Sequence, residues 1–394
     1  MNKYTTIGQI KVNLKISLTK IIDFYSEINA DEHGHAYLIV EMSKNTTITE
    51  IESLYLSSVS ITDKHNENIF TGICVSTAIE NQNGYQQLII ELLDHSVIAD
   101  INRNTRTFQN PGKTLSDVLD EVFKQYSCCV NLKENPVIPS VVYQQNETDW
   151  QFALRMINSF GMHMYSGCRD KRISIAGGSK GGKSFSKSIL DKQKSSSRNV
   201  GELRAVQLNA DSTAAGYQYD SNEYTSANIM VKAGDIIGDY TVINNRIVNE
   251  NGNFVNHLNL ARTSDEKSSY SSSIEANIIS NIITGTVISV SGNIVQVQFD
   301  ADGADMSGNC VDIPYESAIS NSFYCMPDIG DQVFVYYENN GKIVCLGSKR
   351  SSTDNPDFSK PEEKVLTNKD KMIRFTSSSL IVTDTRNKYD FMMM

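Results

Sequence analysis

The sequence lacks paired cysteines, long apolar runs and a leader-like start. Its cysteines include no Cys-x-x-Cys pair, which argues against a disulfide framework and against a zinc site. The seven cysteines are Cys74, Cys128, Cys129, Cys168, Cys310, Cys325 and Cys345. No stretch approaches the roughly 18 apolar residues of a membrane span, and the opening Met-Asn-Lys-Tyr-Thr-Thr lacks the basic-then-apolar order of a signal peptide. We therefore expect a soluble chain made in the cytoplasm.

Basic residues are also in short supply. The chain of 394 residues has 36 Lys and Arg against 46 Asp and Glu, so its net charge is -10. This sign opposes attraction to nucleic acid or to an anionic membrane. Ser, Asn, Thr and Tyr are abundant, which is typical of a β-rich protein with many turns. The length suits roughly two to four domains.

Three Asn-Gly pairs predict β-hairpins, because each pair separates two β-type runs. A type I′ turn needs positive φ at both central residues, and Asn-Gly meets that need well. The pairs are Asn83-Gly84, Asn251-Gly252 and Asn340-Gly341.

The segment Tyr143–Tyr165 predicts a strand, a capped helix, a stop and a second strand. Asn146 is the predicted N-cap, with Asp149 at position N3, and Gly161 is the predicted left-handed stop. Apolar residues at helical spacing predict a stripe that clamps the helix onto a sheet. The predicted structural anchors are Trp150, Leu154, Ile157, Phe160 and Gly161.

A second helix is predicted to open at Thr114. Its apolar residues repeat at helical spacing while acidic residues face outward, which indicates an amphipathic cover helix. The apolar residues are Leu115, Val118, Leu119, Val122, Phe123 and Tyr126.

The glycine-rich stretch 177–184 matches the G-x-x-x-x-G-K-[ST] pattern of a phosphate-binding loop. Its fixed positions are Gly177, Gly182, Lys183 and Ser184. The chemistry requires such a loop to open a helix inside a parallel βαβ sheet. The residues that follow are weak helix formers and hairpins flank the stretch, so we expect a Gly/Ser/Lys-rich surface loop over 176–199.

Other candidates for chemistry are weaker. His33-Gly34-His35 is expected to be a solvated turn and not a metal pair. The stretch Asp300–Asp305 lacks the glycine position and closing glutamate of a calcium loop. No G-x-S-x-G elbow or supported Cys/His pair is present. We therefore expect no catalytic residue, no cofactor and no metal.

The block 281–348 predicts a small closed barrel of the OB type, because about five short strands fall within it. OB barrels that bind single-stranded nucleic acid need a basic groove. This block has one basic residue, Lys342, against eight acidic ones, so we expect a structural barrel that contacts protein and not nucleic acid. The acidic residues are Asp300, Asp302, Asp305, Asp312, Glu316, Asp328, Asp331 and Glu338.

Several stretches, in one order, resemble a known family. They are Asn68–Leu93, Asn104–Leu119, Tyr143–Tyr165, Ile283–Val287, Met326–Val335 and Lys371–Phe375. This order resembles the hub-spike proteins of contractile injection machines: VgrG of type VI secretion, and the hub and spike-base proteins of contractile phage tails and tailocins.

The resemblance implies a mainly β fold with minor α. Two hub β-barrel-like domains would span 1–105 and 200–275, and a helix-strand connecting domain would span 106–175. The OB-fold barrel would occupy 281–348. Residues 349–394 would form a linker and the short start of a trimeric β-prism spike.

The resemblance also implies a mechanical role. A homotrimer would present six near-equivalent barrels to a six-fold tail tube and join it to a three-fold piercing spike. The implied partners are a tail-tube or tube-initiator protein, baseplate wedge proteins, and a separate spike-tip protein or effector. The assembled particle would act outside the cell or at the target envelope.

The sequence ends on apolar residues: Phe391, Met392, Met393 and Met394. On an isolated monomer these would form an exposed apolar patch. On a three-fold axis, the flexible Met side chains of three chains could fill a small irregular core. We expect the four residues to contact other subunits or a tip protein.

Two other interpretations stay open on the sequence alone. One is an enzyme, either a nucleotide hydrolase that uses Lys183 and Ser184 or a carbohydrate-active protein. The other is a monomeric carbohydrate-binding tail module.

Overall fold

The computed structural model describes most of the chain. The described residues are 4–82, 85–109, 112–126, 128–138, 141–169, 171–179, 181–199, 218–263, 282–302, 310–316, 324–337, 342–350, 360–368, 371–384 and 386–392. Within them the chain forms 26 strands and three α-helices, which confirms the predicted mainly β fold. None of the described helices is long and apolar enough to cross a membrane. The chain divides into two compact units, one reaching to about residue 279 and the other formed by most of the remainder.

Six strands and a short helix make up what we call the first repeat. They are β1 Lys11–Asn13, β2 Leu18–Asn29, β3 His35–Met42, α1 Ile48–Glu52, β4 Ser58–Thr62, β5 Asn68–Gln82 and β6 Tyr85–Asp94. The strand order in the sheet is β1-β4-β5-β6-β3-β2. Alternate residues of each strand face one side, so Phe24, Leu38, Phe70 and Leu88 meet in one buried core.

The next elements form what we call the brace, residues 103–177. They are β7 Arg103–Phe108, α2 Leu115–Val122, β8 Cys128–Leu132, β9 Val142–Thr148, α3 Asp149–Ser159, β10 Met164–Ser166 and β11 Ile173–Gly177. Strand β7 pairs with β9, and β10, β11 and β8 form a three-stranded sheet. Both helices bury their apolar stripes in one core with Phe108 and Ile175. The helix predicted to open at Thr114 is confirmed, because Thr114 caps α2.

The predicted cap of α3 is wrong. Thr148, not Asn146, is the N-cap: its side chain accepts from the backbone N–H of Gln151, whose own side chain accepts from the Thr148 N–H. Asn146 is the extra residue of a β-bulge between β9 and β7, with φ of 49°. The stop is as predicted, since Gly161 has φ of 74°.

Six further strands form the second repeat. They are β12 Ser184–Phe185, β13 Leu190–Asn199, β14 Gln218–Ser226, β15 Ile236–Ile237, β16 Tyr240–Glu250 and β17 Asn253–Arg262. The order β16-β17-β14-β13 continues the first sheet, and β15 pairs with β16 and with β12. The prediction of a loop over 176–199 is therefore only partly right, because β12 and β13 lie within it and pair with the sheet.

The two repeats follow one pattern. Taken in chain order, β1–β6 correspond to β12–β17, and the sheet order β4-β5-β6-β3-β2 matches β15-β16-β17-β14-β13. Residues are skipped at equivalent places in the first hairpin: the ladder jumps from Ile21 to Asp23 in β2 and from Leu190 to Lys192 in β13. One difference is the outermost pair, which is antiparallel for β1 with β4 and parallel for β12 with β15.

The second hairpins of the two repeats, β5-β6 and β16-β17, also agree in detail. The ladder jumps from Cys74 to Ser76 in β5 and from Val242 to Asn244 in β16. In each repeat an Asn-Gly pair lies in the sequence between the two strands of this hairpin. At Asn251 and Gly252 the φ angles are 52° and 84°, as a type I′ turn requires. The pairs at 83–84 and 340–341 lie outside the described residues, although the strands on either side of each are paired.

The OB-type barrel predicted over 281–348 is confirmed. Its strands are β18 Ile282–Ser291, β19 Ile294–Phe299, β20 Ile313–Pro314, β21 Gln332–Tyr337 and β22 Ile343–Ser348, in the order β20-β19-β18-β21-β22. A parallel bridge between Tyr315 and Cys345 joins the two ends of this order, which closes the barrel. Val295, Val297 and Phe299 are buried inside it. Of the acidic stretch Asp300–Asp305, residues 303–305 lie outside the described part.

A last antiparallel sheet ends the chain. Its strands, in sheet order, are β23 Lys364–Asn368, β24 Lys371–Phe375, β25 Ser379–Thr383 and β26 Lys388–Met392. We call it the C-terminal sheet. Phe391 and Met392 belong to β26, while Met393 and Met394 lie outside the described residues.

Candidate functional sites: an internal brace and an exposed apolar face

Asp149, the first residue of α3, organises the brace. Its side chain is fully buried, and its carboxylate accepts hydrogen bonds from donors on β7, on β9 and at the end of α2. The donors are Asn104 Nδ2 at 2.9 Å, Arg106 Nη2 at 2.7 Å, Gln144 Nε2 at 3.0 Å, Gln125 Nε2 at 2.8 Å and Tyr126 OH at 3.1 Å. Burial and the nearby Asp149 charge raise the pKa of Tyr126 to about 12. One carboxylate thus fixes α3 to both strands and to α2.

A buried ion pair fixes the middle of the same helix. Arg155 Nη2 lies 2.7 Å from Glu147 Oε2, and its Nε lies 2.9 Å from Oε1, so the guanidinium binds the carboxylate with two parallel bonds. The two side chains are 3% and 9% exposed. Nη2 also donates to the carbonyl oxygen of Tyr143. Helix α3 is therefore fixed to β9 along its length.

The predicted anchors surround these polar contacts. Trp150 and Ile157 are buried, Leu154 and Phe160 are half-buried against the same core, and Gly161 ends the helix. No group among them is reactive, so their role here is packing.

The prediction of a solvated turn at His33 is wrong. The His33 ring stacks on Trp150, with centroids 4.1 Å apart. Its Nδ1 lies 2.6 Å from Ser96 Oγ and its Nε2 lies 3.3 Å from Asp100 Oδ2. Asp100 in turn accepts from the hydroxyl of the α3 cap, Thr148. The turn between β2 and β3 is thus partly buried, with Glu32 exposed and Gly34 buried, because it connects the first repeat to α3.

Two carboxylates complete this connection. Asp31 Oδ2 lies 2.6 Å from His163 Nδ1, and its Oδ1 accepts from Met164 N at 2.8 Å. Fully buried Asp94 accepts from Ser166 Oγ at 2.6 Å and from Gly34 N. A side chain at Gly34 would place its Cβ 2.7 Å from Asp94 Oδ2, so this position requires glycine.

The histidines here are paired with carboxylates one by one and do not converge. His35 Nε2, for example, lies 3.1 Å from Glu91 Oε1. In the described part of the chain, no group of three His, Cys, Asp or Glu side chains could hold a metal ion.

The glycine-rich stretch does not form a phosphate-binding loop. After Lys183 the chain enters β12, which begins at Ser184, and no helix opens there. The Lys183 N–H donates to Asp235 Oδ1 at 2.7 Å, so a carboxylate occupies the amide that a phosphate would need. Burial raises the pKa of Asp235 although backbone N–H groups of Lys232 and Lys183 oppose that shift. A Cβ at Gly182 would lie 2.0 Å from the Gly234 carbonyl oxygen, so close packing explains this glycine.

The C-terminal sheet has one face with a block of seven apolar residues. Residues paired across a ladder point to the same face. The ladders place Phe375, Leu380 and Phe391 in one row, beside Lys364 at its end, and Leu366, Ile373, Val382 and Tyr389 in the next row. We call these seven residues the apolar face. Five of them are 39% to 56% exposed. The opposite face is mixed, because it carries Thr367, Arg374 and Thr383 together with Val365, Met372 and Ile381.

Asp149, His33 and the apolar face were not identified from the sequence alone. Asp149 was expected only at position N3 of the helix cap, yet it directly precedes Trp150 and an apolar stripe. Asn104 and Arg106 alternate along β7 and so share one side of it. A charged residue at the edge of an apolar stripe, together with hydrogen-bond donors at alternate positions of a strand, was the sequence signal for this buried carboxylate.

A family model, the Alg8 N-terminal domain, matches residues 59–193, about a third of the chain. The match begins inside β4 of the first repeat and ends inside β13 of the second, so it coincides with no structural unit. No curated protein matches the sequence.

Solved structures match over nearly the whole chain. The E. coli c3393 protein, a type VI secretion component similar in structure to the T4 bacteriophage tail proteins gp27 and gp5, matches with a TM-score of 0.60 at 12% identity, covering 86% of this chain and 100% of that one. A chain of the half-lidded Francisella PdpA-VgrG complex matches with a TM-score of 0.58 at 12% identity, covering 98% of this chain and 86% of that one. The lidless PdpA-VgrG complex gives 0.53 at 10% identity, with coverages of 94% and 93%. The chain therefore has the fold of the VgrG and phage-tail hub proteins, as its sequence predicts.

Proposed function

We propose that the chain is a structural hub protein of a contractile tail or type VI-like injection machine. The observation that carries the proposal is the internal repeat, in which two equivalent six-strand sets share one continuous sheet. Three such chains would present six equivalent sets to a six-fold tube while keeping a three-fold axis for a spike. A role of this kind is mechanical and needs no catalytic group.

The apolar face supports the trimer. A four-stranded sheet needs a covered apolar side to be stable in water, and among the described residues none in this sheet is fully buried. Three copies of the face around an axis would cover one another and form the base of a spike. Residues Phe391–Met394 would lie at the end of that base and contact a spike-tip protein or effector.

The brace supports load transmission. Its helices are held by buried hydrogen bonds and ion pairs to both neighbouring strands and to the first repeat, so the brace resists displacement as one piece. We propose that it keeps the repeats in fixed orientation while thrust passes from the tube to the spike.

Two measurements test this function. Light scattering of the purified chain is expected to give three times the 43.9 kDa chain mass. The trimer, mixed with the tail-tube protein of the same system, is expected to shorten the lag of tube assembly. The variant that lacks Lys364–Met392 is the control for the trimer. A monomer in the parent chain, or a tube lag that the trimer leaves unchanged, would count against the hub role.

A further inference from the structure

The junction between the two repeats is a strand pair. Strand β2 of the first repeat lies antiparallel to β16 of the second, with Asn29 opposite Asn244 and Ser26 opposite Ile247. Because the repeats are equivalent, this junction also specifies how one repeat would join the next repeat of another chain.

Two sheet edges lack that junction within the described residues. Strand β5 corresponds to β16, and β4 pairs only with its beginning, from Asn68 to Ile73. From Ser76 to Asn81 its residues are exposed or half-buried. At the other end of the sheet, β13 corresponds to β2 and pairs on one side only, with β14.

The equivalence also fixes a register. The skipped residues align Ser76 with Asn244 in one hairpin and Lys192 with Asp23 in the other. Counting along each strand, Ser76–Ile79 of β5 match Asn244–Ile247, and Ser195–Arg198 of β13 match Ser26–Asn29.

We infer that β13 of one chain pairs antiparallel with the free edge of β5 in the next chain, in the register of the internal junction. The predicted partners are Ser76 with Arg198, Thr77 with Ser197, Ala78 with Ser196 and Ile79 with Ser195. The partner is a second copy of this chain, because the edge that fits β5 is the equivalent of β2 and only this chain supplies it.

We expect this pairing to close a ring and to occupy both of these edges. It joins two different edges, so it is a head-to-tail contact, and such contacts form rings when the rotation closes. A sheet edge with unpaired N–H and C=O groups otherwise invites uncontrolled pairing. The inference rests on the proposed trimer for the number of copies, but it adds the strands and the register.

Disulfide trapping tests the register. We would prepare Ala78→Cys/Ser196→Cys in a background with Cys129→Ser and Cys325→Ser, because those two native cysteines are exposed. Directly opposed residues have Cβ atoms about 4.5–5.5 Å apart, and a small backbone shift brings them to the spacing that a disulfide needs. Mild oxidation is expected to give covalent dimers and trimers on a non-reducing gel in more than half of the chains.

Two controls keep the outcome specific. Ala78→Cys/Ser197→Cys shifts one partner by one residue, which turns it to the other face, so at least tenfold less product is expected. Ser196→Cys alone tests a symmetric pairing of β13 with β13. Product from that single variant, or equal product in both double variants, would overturn the register.

Oligomer mass separates failure of this inference from failure of the hub role. A trimer by light scattering with no disulfide in the double variant overturns the strand pairing and leaves the trimer in place. A monomer with no disulfide overturns both. As a second measurement, Ala78→Glu/Ser196→Glu is expected to lower the trimer's stability to dilution at least tenfold, and Ala78→Arg/Ser196→Glu, which copies the Arg246 and Glu27 pair of the internal junction, is expected to restore it.

Discussion

In the brace, the Asp149 carboxylate and the Arg155–Glu147 pair are buried and hydrogen-bonded within one chain. In the C-terminal sheet, Phe375 and Phe391 are 41% and 56% exposed, and they belong to a block of seven apolar residues on one face. The brace thus satisfies its costly groups by itself, whereas the sheet leaves its apolar groups to be covered. The difference separates a part that maintains the single chain from a part that needs other chains. Variants can test each side of this comparison.

The largest effect is expected from Asp149→Ala. The substitution removes the charged acceptor of buried Gln144 and of Arg106 Nη2, and loss of one buried charged partner costs about 3–5 kcal/mol. Unfolding in urea, followed by fluorescence of Trp150, reports this region directly, because Trp150 is the only tryptophan. Asp120→Ala, at an exposed position of α2, is the control and is expected to change the free energy of unfolding by less than about 0.5 kcal/mol. Equal effects of the two variants would mean that the brace is not held by its buried carboxylate.

Phe375→Asp tests the other side of the comparison. A charge in the middle of the apolar face is expected to shift trimer to monomer, with at least a tenfold rise in the dissociation constant, because a buried interface aromatic is often worth about 2 kcal/mol or more. The unfolding of the Trp150 region should not change. Thr367→Asp, on the opposite face, should keep the trimer mass. A loss of trimer in both variants would deny that the apolar face is the contact.

Removal of Phe391–Met394 is expected to have a smaller effect on the same trimer. It takes one ring from the edge strand of the apolar face and leaves Phe375, Ile373 and Leu380 in place. The expected result is weaker trimer or tip association, measured as mass on dilution and as retention of a tip protein. Unchanged mass together with unchanged tip binding would show that the terminus contributes to neither contact.

How far the sequence predicts this fold differs between the elements. Thr114 was correctly placed as a cap because threonine, an acidic residue three positions on and an apolar stripe all agree. Before α3, Asn146 and Thr148 both fit a cap signal. The choice depended on the bulge at Asn146, which exists only when β7 pairs with β9. Local patterns could not decide a question that tertiary pairing settles.

The residues by themselves did not reveal the repeat, which the family resemblance alone implied, and the reason is related. Phe24 of β2 corresponds to Gln193 of β13, and Leu38 of β3 corresponds to Tyr224 of β14, so equivalent strands share few residues. What they share is the position of the skipped residues and of the Asn-Gly turn. These are backbone features, and a type I′ turn restricts residue choice far more than a strand position does. His33 was misassigned because its stacking partner, Trp150, lies far along the chain.

A comparison of Thr148→Ala with Asn146→Gly tests which of the two residues caps α3, and both effects are expected to be smaller than that of Asp149→Ala. Loss of the cap is expected to cost about 1 kcal/mol. Asn146 holds a positive φ that glycine adopts freely, so Asn146→Gly should change stability by only a few tenths of a kcal/mol. Urea unfolding of both variants, followed at Trp150, checks the order. A larger cost at Asn146 would return the cap to the position that the sequence suggested.

The smallest effect is expected from Lys183→Ala. The glycine-rich stretch, like the brace, makes its contacts within the single chain. The contact there is made by the Lys183 backbone N–H with Asp235, and alanine retains that N–H. Neither unfolding nor trimer mass should change, and calorimetry should detect no ATP or GTP binding in the parent or the variant. Asp235→Ala removes the acceptor of the Lys183 and Lys232 N–H groups, so it should cost about 1–3 kcal/mol. If the parent binds nucleotide and Lys183→Ala abolishes that binding, the stretch is a nucleotide site instead. The Lys183 side chain would then bind the ligand, whereas the contact seen in the structure is made by its backbone N–H alone.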